Sequence, residues 1–170
     1  MLTRILTLCI MAVLSLACHA QDYTVGSWAV VKSLSGIQIA KANTGDNAAG
    51  VMCILATDRC FAYAGLGIDC VENAQYPLLV NTATGAFSSS ASCRHLSANA
   101  PILEIDDFDR MIQAFESGGE IGIVTPMLNG QFKVARFSTI GATAAIRDAR
   151  ANPRRKIQPN KPSTASTEFL

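Results

Sequence analysis

The chain has 170 residues, 49% of them apolar and 16% charged, with a formal net charge of +1. That length suits one ordinary domain with a sizeable core. Residues 22–146 hold seven Lys/Arg against eleven Asp/Glu, which argues against a nucleic-acid-binding body, since phosphate recognition needs a basic surface.

The elements are predicted in chain order. Met1-Leu2-Thr3-Arg4 is a short basic start, and residues 5–17 are an apolar run broken by Thr7, Cys9 and Ser15. Cys18-His19-Ala20 supplies small residues at a cleavage position. This layout predicts a secretory signal peptide over residues 1–20, too short to remain as a membrane span. The mature chain is then expected in the periplasm or outside the cell. A lipoprotein anchored through Cys18 is the lesser alternative, because Ser15-Leu16-Ala17-Cys18 partly fits a lipid-attachment site.

After the leader, short apolar runs and turn residues predict strands. Trp28-Ala29-Val30-Val31 and Ile37-Gln38-Ile39-Ala40 are separated by Ser35-Gly36. Thr44-Gly45-Asp46-Asn47 turns the chain into a strand over residues 50–55, and Thr57-Asp58-Arg59 turns it again into Cys60-Phe61-Ala62-Tyr63. Tyr76-Pro77-Leu78-Leu79-Val80 is a further strand, with Pro77 near an edge or a strand start. Residues 86–96 suit an exposed, Ser-rich strand.

Phe108, Met111, Ile112 and Phe115 recur at helical spacing and predict one amphipathic helix, about residues 107–117. Asp106 or Asp107 caps its start, Asp109 suits its positive end, and Gly118-Gly119 stop it. Residues 120–128 and 131–137 then form a hairpin around a two-residue Asn129-Gly130 turn. Residues 141–146 suit a last short helix. Residues 151–170, basic and proline-containing, are expected to be disordered.

Four cysteines follow the leader: Cys53, Cys60, Cys70 and Cys93. An even set in a secreted chain predicts two disulfides, whose three connectivities the sequence does not separate. The pairs expected are Cys53–Cys60, stapling adjacent strands, and Cys70–Cys93, pinning the loop before Tyr76. A metal site is the weaker reading, because there is no Cys-x-x-Cys pair and His95 is the single histidine after the leader. No metal or cofactor is expected.

Enzyme signatures are missing as well: there is no His-Glu-x-x-His, no Gly-x-Ser-x-Gly and no phosphate-cradling glycine loop. His95 lacks a nucleophile beside it in sequence. Glu104, Asp106, Asp107 and Asp109 are acidic enough for a cation but lack the spacing of a calcium loop; helix-start acidity accounts for them. No catalytic residue is assigned. Arg154, Arg155 and Lys156 in the tail are the candidate contacts to an anionic partner, such as lipid or wall material.

Gly26-Ser27-Trp28-Ala29-Val30 and Ser138-Thr139-Ile140-Gly141-Ala142-Thr143-Ala144-Ala145 bracket the body. With the leader and paired cysteines, they resemble the invasion-associated locus B family of small bacterial envelope proteins. That family opens with a G-x-W-x-V segment and closes with S-L-x-G-F-x-x-A; Ala142 stands where the family has an aromatic residue. The resemblance implies a periplasmic or surface β-sandwich without a known catalytic site, and adds a host-interaction reading through the family's link to invasion.

The fold expected is mainly β: an antiparallel β-sandwich or flattened barrel with one packed amphipathic helix and two disulfides, spanning residues 21–150. Its core is expected to include Trp28, Val30, Ile39, Ile54, Phe61, Leu79, Phe108, Met111, Ile112, Phe115, Ile121, Ile123, Val134 and Phe137. The function expected is non-enzymatic surface recognition at the envelope, with an envelope or host protein as partner. The alternative is an inhibitor or immunity protein against a toxin or a wall-degrading enzyme.

Overall fold

The computed structural model describes residues 22–96, 100–127 and 129–151. The expected leader, Cys18, and the tail residues Arg154, Arg155 and Lys156 lie outside the described residues.

Among the described residues ten strands form one antiparallel sheet. They are β1 (Tyr23–Val25), β2 (Trp28–Lys32), β3 (Ile37–Thr44), β4 (Asn47–Ile54), β5 (Arg59–Gly65), β6 (Gln75–Thr82), β7 (Gly85–His95), β8 (Pro101–Ile105), β9 (Glu120–Pro126) and β10 (Phe132–Ser138). Their spatial order is β1-β2-β3-β4-β5-β8-β7-β6-β9-β10. The first five strands are a simple meander. The chain then crosses the ends of β8 and β7 before entering β6, and returns through β7 and β8 to pair with β5.

The two ends of the sheet fold back onto each other, which makes a flattened sandwich. The Ser27 amide donates to the Ile140 carbonyl at 2.8 Å, and Trp28 Nε1 donates to the Ser138 carbonyl at 2.9 Å. At this closure the backbones approach closely at two glycines in the left-handed region. A Cβ on Gly141 (φ 93°) would fall 1.9 Å from the Val25 carbonyl oxygen. A Cβ on Gly26 (φ 59°) would fall 2.5 Å from that of Ile140.

Two helices pack into the core formed by the inner faces. Helix α1 (Phe108–Glu116) buries Met111, Ile112, Ala114 and Phe115, as its apolar spacing requires. Asp107 caps it, accepting from the Arg110 amide at 3.2 Å. The fold expected named one packed helix; among the described residues there are two, because the last short helix expected over residues 141–146 extends as α2 (Ala142–Arg150) and also packs on the sheet. It buries Ala142, Ala145, Ile146 and Ala149 in the core that also holds Ala40, Ala42 and Ala49. Small residues on both sides let helix and sheet approach closely. Arg147 and Arg150 favour its negative end.

Both expected disulfides are present. Cys53 and Cys60 are opposite each other in the β4–β5 ladder with Cα atoms 4.1 Å apart, and Cys70 joins Cys93 across 6.0 Å.

Several expectations need correction. The β9–β10 ladder ends at Pro126 and Phe132, so the strand expected over residues 120–128 stops early. Met127 and Gln131 then pair, with three residues between them and Gly130 in the left-handed region (φ 79°). The Asn129-Gly130 turn is therefore not a two-residue connection; it is the three-residue kind that closes with a left-handed glycine. Strands β1 and β8 were not expected at all. Leu79 and Val134 are not core: they are 43% and 50% exposed. Strand alternation puts Leu78, Val80, Ala135 and Phe137 inward instead. Ile39, Ile54 and Phe108 are half-buried.

A second apolar cluster, Met52, Phe61, Tyr63 and Ile102, lies on the opposite face of β4, β5 and β8. The Tyr63 hydroxyl makes no hydrogen bond with a described residue, and burial pushes its phenol well above the ordinary value of about 10.

Candidate binding surface

Three of the exposed large apolar residues, Leu79, Phe132 and Val134, lie together on β6 and β10, whereas Leu34, Val71, Leu96 and Ile140 lie outside these strands. Leu79 on β6 pairs with Val124 on β9, and Val124 pairs with Val134 on β10. Period-two alternation sends all three to the outer face as one row across three strands. The next row toward the strand ends continues it with Pro77, Pro126 and Phe132, the last 66% exposed. Polar residues bound the patch: Ser88 faces Leu79 from β7, and Asn81 and Arg136 flank Gly122 on the other side. Arg136 is held by Glu120 at 3.3 Å. A contiguous apolar patch with a polar border marks an interaction surface more often than scattered apolar residues do.

This second row borders a cavity of about 540 Å³. Pro77 and Pro126 belong to both row and cavity; Tyr76 and Met127 add further walls. The crossover segment between β5 and β6, through Gly67, Ile68 and Asp69, and Asn129 of the β9–β10 turn complete its lining.

That segment is fixed from behind. The Cys70–Cys93 disulfide pins it to β7 partway along its crossing. The Asn73 amide donates to the Cys93 carbonyl, and the Cys93 amide to the Ala74 carbonyl, both at 2.9 Å. The Val71 amide donates to the Tyr76 hydroxyl at 3.0 Å. His95 completes the clamp: its amide donates to Glu72 at 2.8 Å, and its ring Nε2 lies 3.1 Å from the Cys70 carbonyl. Pro77 fits the interior strand β6 because its nitrogen faces β9 ahead of the ladder, which begins at Leu79. The Pro77 carbonyl, on the same side, accepts from Thr125 Oγ1 at 3.1 Å.

The other residues singled out from sequence are dispersed. Cys70, Cys93 and His95 place their potential ligand atoms within 4.8 Å of one another, but both sulfurs are committed to the disulfide. The acidic group is split: Asp107 caps α1, while Glu104 lies on the outer face between Arg59 and Arg94. Ser138 Oγ accepts from the Ile140 amide, and Thr139 donates to the Gly119 carbonyl.

The surface itself was missed from sequence because Leu79 and Val134 were placed inside. The signal was present. Phe132, Val134 and Arg136 share one parity of β10, and an arginine on that parity points to solvent.

Among the described residues no helix is long and apolar enough to cross a membrane. No protein-family model and no curated protein matches the sequence. Among solved structures the chain is similar to the crystal structure of invasion associated protein b from Bartonella henselae. The two share 13% identity with a TM-score of 0.55, over 76% of this chain and 96% of that one. At that identity the likeness shows the fold.

Proposed function

We propose that this protein is a non-enzymatic binding or accessory protein of the bacterial envelope, acting by surface recognition. One observation carries the reading: beside the aliphatic row Leu79–Val124–Val134, the next row's Pro77 and Pro126 line a cavity whose crossover wall is pinned by a disulfide. A preformed apolar surface on a rigid scaffold binds with little ordering cost. The likeness to an invasion-associated protein supports an extracytoplasmic, host-facing setting for that surface. The basic residues Arg154, Arg155 and Lys156 supply a second contact, to anionic lipid or wall material.

The pinned crossover also favours a second reading, an inhibitor or immunity protein, because rigid loops beside a cavity suit one-to-one capture of an enzyme.

The test is affinity capture from an envelope extract using oxidised protein of residues 21–170. Three variants go beside it: Leu79→Ser with Val134→Ser, a chain ending at Ala151, and both changes together. One identified protein partner, kept without the tail and lost from the serine variant, supports recognition through the folded surface. A single captured enzyme that is inhibited one-to-one selects the second reading. Capture indifferent to Leu79 and Val134 would overturn the proposal.

A further inference from the structure

The cavity beside β6 and β9 has apolar walls and one charge. Ile68, Tyr76, Pro77, Pro126 and Met127 form most of the walls, with the polar Asn129 beside them. Asp69 is the charged residue among those lining it, and its exposed carboxylate makes no hydrogen bond or ion pair with a described residue.

We propose that this cavity receives an arginine or lysine side chain from an extended segment of a partner protein, whose apolar neighbours lie along Leu79, Val124 and Val134. The inference rests on the surface-recognition reading and narrows it to a basic, apolar-flanked partner. A long cationic side chain matches both parts of the site: its aliphatic stem packs on apolar walls while its head stays at a polar rim. The Asp69 carboxylate at that rim pairs best with a guanidinium, through two parallel charge-assisted hydrogen bonds. Other occupants fit less well. A purely apolar side chain would desolvate Asp69 without pairing it, and an acidic one would meet it as a like charge.

The surrounding field has the same sign. The folded body, residues 22–151, carries twelve acidic residues against nine Lys/Arg, a mild negative balance that favours approach of a basic segment. The clamp through Cys70–Cys93, His95 and Tyr76 holds Asp69 in place, so little ordering remains to be done on binding.

Three acetylated, amidated tripeptides test the site by NMR titration of the oxidised protein of residues 21–170. They are Ile-Arg-Ile, the same peptide with citrulline (the uncharged analogue of arginine), and the same with glutamate. The arginine peptide is expected to shift the amides of Ile68, Asp69 and Tyr76, and to bind about tenfold more tightly than the citrulline peptide. Asp69→Asn should abolish that difference and leave the unfolding curve unchanged. Equal affinity for the arginine and citrulline peptides, preference for glutamate, or no shift in residues 67–76 would overturn the inference. Shifts confined to Leu79, Val124 and Val134 that survive Asp69→Asn would also overturn it, while leaving surface recognition by the row standing. Failure of that broader reading shows separately, as capture from extract that ignores the Leu79 and Val134 substitutions.

Discussion

The indole nitrogen of Trp28 donates to the carbonyl of Ser138 at 2.9 Å, joining residues 110 positions apart. Trp28 is fully buried, and its ring meets Phe115 edge-on with centroids 5.1 Å apart. Beside it the Ser27 amide bonds the Ile140 carbonyl. The two segments that carry the family resemblance, around Gly26-Ser27-Trp28 and Ser138-Thr139-Ile140-Gly141, therefore form one contact. They hold the two ends of the sheet together.

Gly141→Ala should destabilise the protein by about 2–5 kcal/mol, since it combines left-handed strain with a backbone collision. Gly130→Ala separates the two effects. Its φ is 79°, but a Cβ there meets nothing within 4 Å, so strain alone should cost about 1 kcal/mol. Urea unfolding of both variants measures the difference. Equal losses would mean that the closure at Val25 is not tight.

Leu79→Ser and Val134→Ser should each cost about 1 kcal/mol or less, because they lie partly exposed on the outer face. Val80→Ala, one residue away and fully buried, should cost about 1–3 kcal/mol. A Leu79 variant as damaging as the Val80 variant would mean that β6 is in the opposite register.

Much of the fold was legible because strong local signals agreed with it. The helix around Met111 and Phe115 had its stripe, an acidic cap at Asp106 or Asp107 and its closing glycines, and the even set of four cysteines signalled two disulfides while leaving their pairing open. The reading failed where parity had to be chosen within an unbroken apolar run. Tyr76-Pro77-Leu78-Leu79-Val80 offers apolar residues on both faces, and only packing decides that Leu78 and Val80 turn inward. Lys133 obscured β10 in the same way, since it shares a parity with the inward Ala135 and Phe137. Strand β8 was invisible for another reason. Its partners β5 and β7 are brought beside it by a crossover that no local pattern announces. The cavity depends on that same crossover, so no run of sequence could show it.

The two disulfides should differ in effect. By loop-closure entropy, Cys70→Ser with Cys93→Ser should cost about 3 kcal/mol, and Cys53→Ser with Cys60→Ser about 2 kcal/mol, because the second closes a shorter loop. Only the first should raise amide hydrogen exchange across residues 67–74, where the cavity wall is held. Unchanged exchange there would show that His95 and Tyr76 suffice as a clamp.

Tyr63 should make the protein sensitive to alkali. Burial raises its folded-state pKa, so the unfolded chain releases the phenol proton first. Its contribution is complete below pH about 10 and is lost as pH rises further, at up to about 1.4 kcal/mol per pH unit. Tyr63→Phe removes the ionisable group and no hydrogen bond to a described residue. Wild-type stability should therefore fall relative to Tyr63→Phe between pH 9 and 11, by denaturant unfolding at each pH. Parallel curves would place the phenol in water.

The contact between Trp28 and Ser138 also orders events during biosynthesis. When β2 leaves the ribosome, the acceptor for its indole and the aromatic ring it packs against have not been made. The meander from β1 to β5 can pair locally, but its inner face waits for α1, β10 and α2. Such long-range closure folds slowly and late. Closure of the domain therefore waits on its last strand and helix, however early the meander forms.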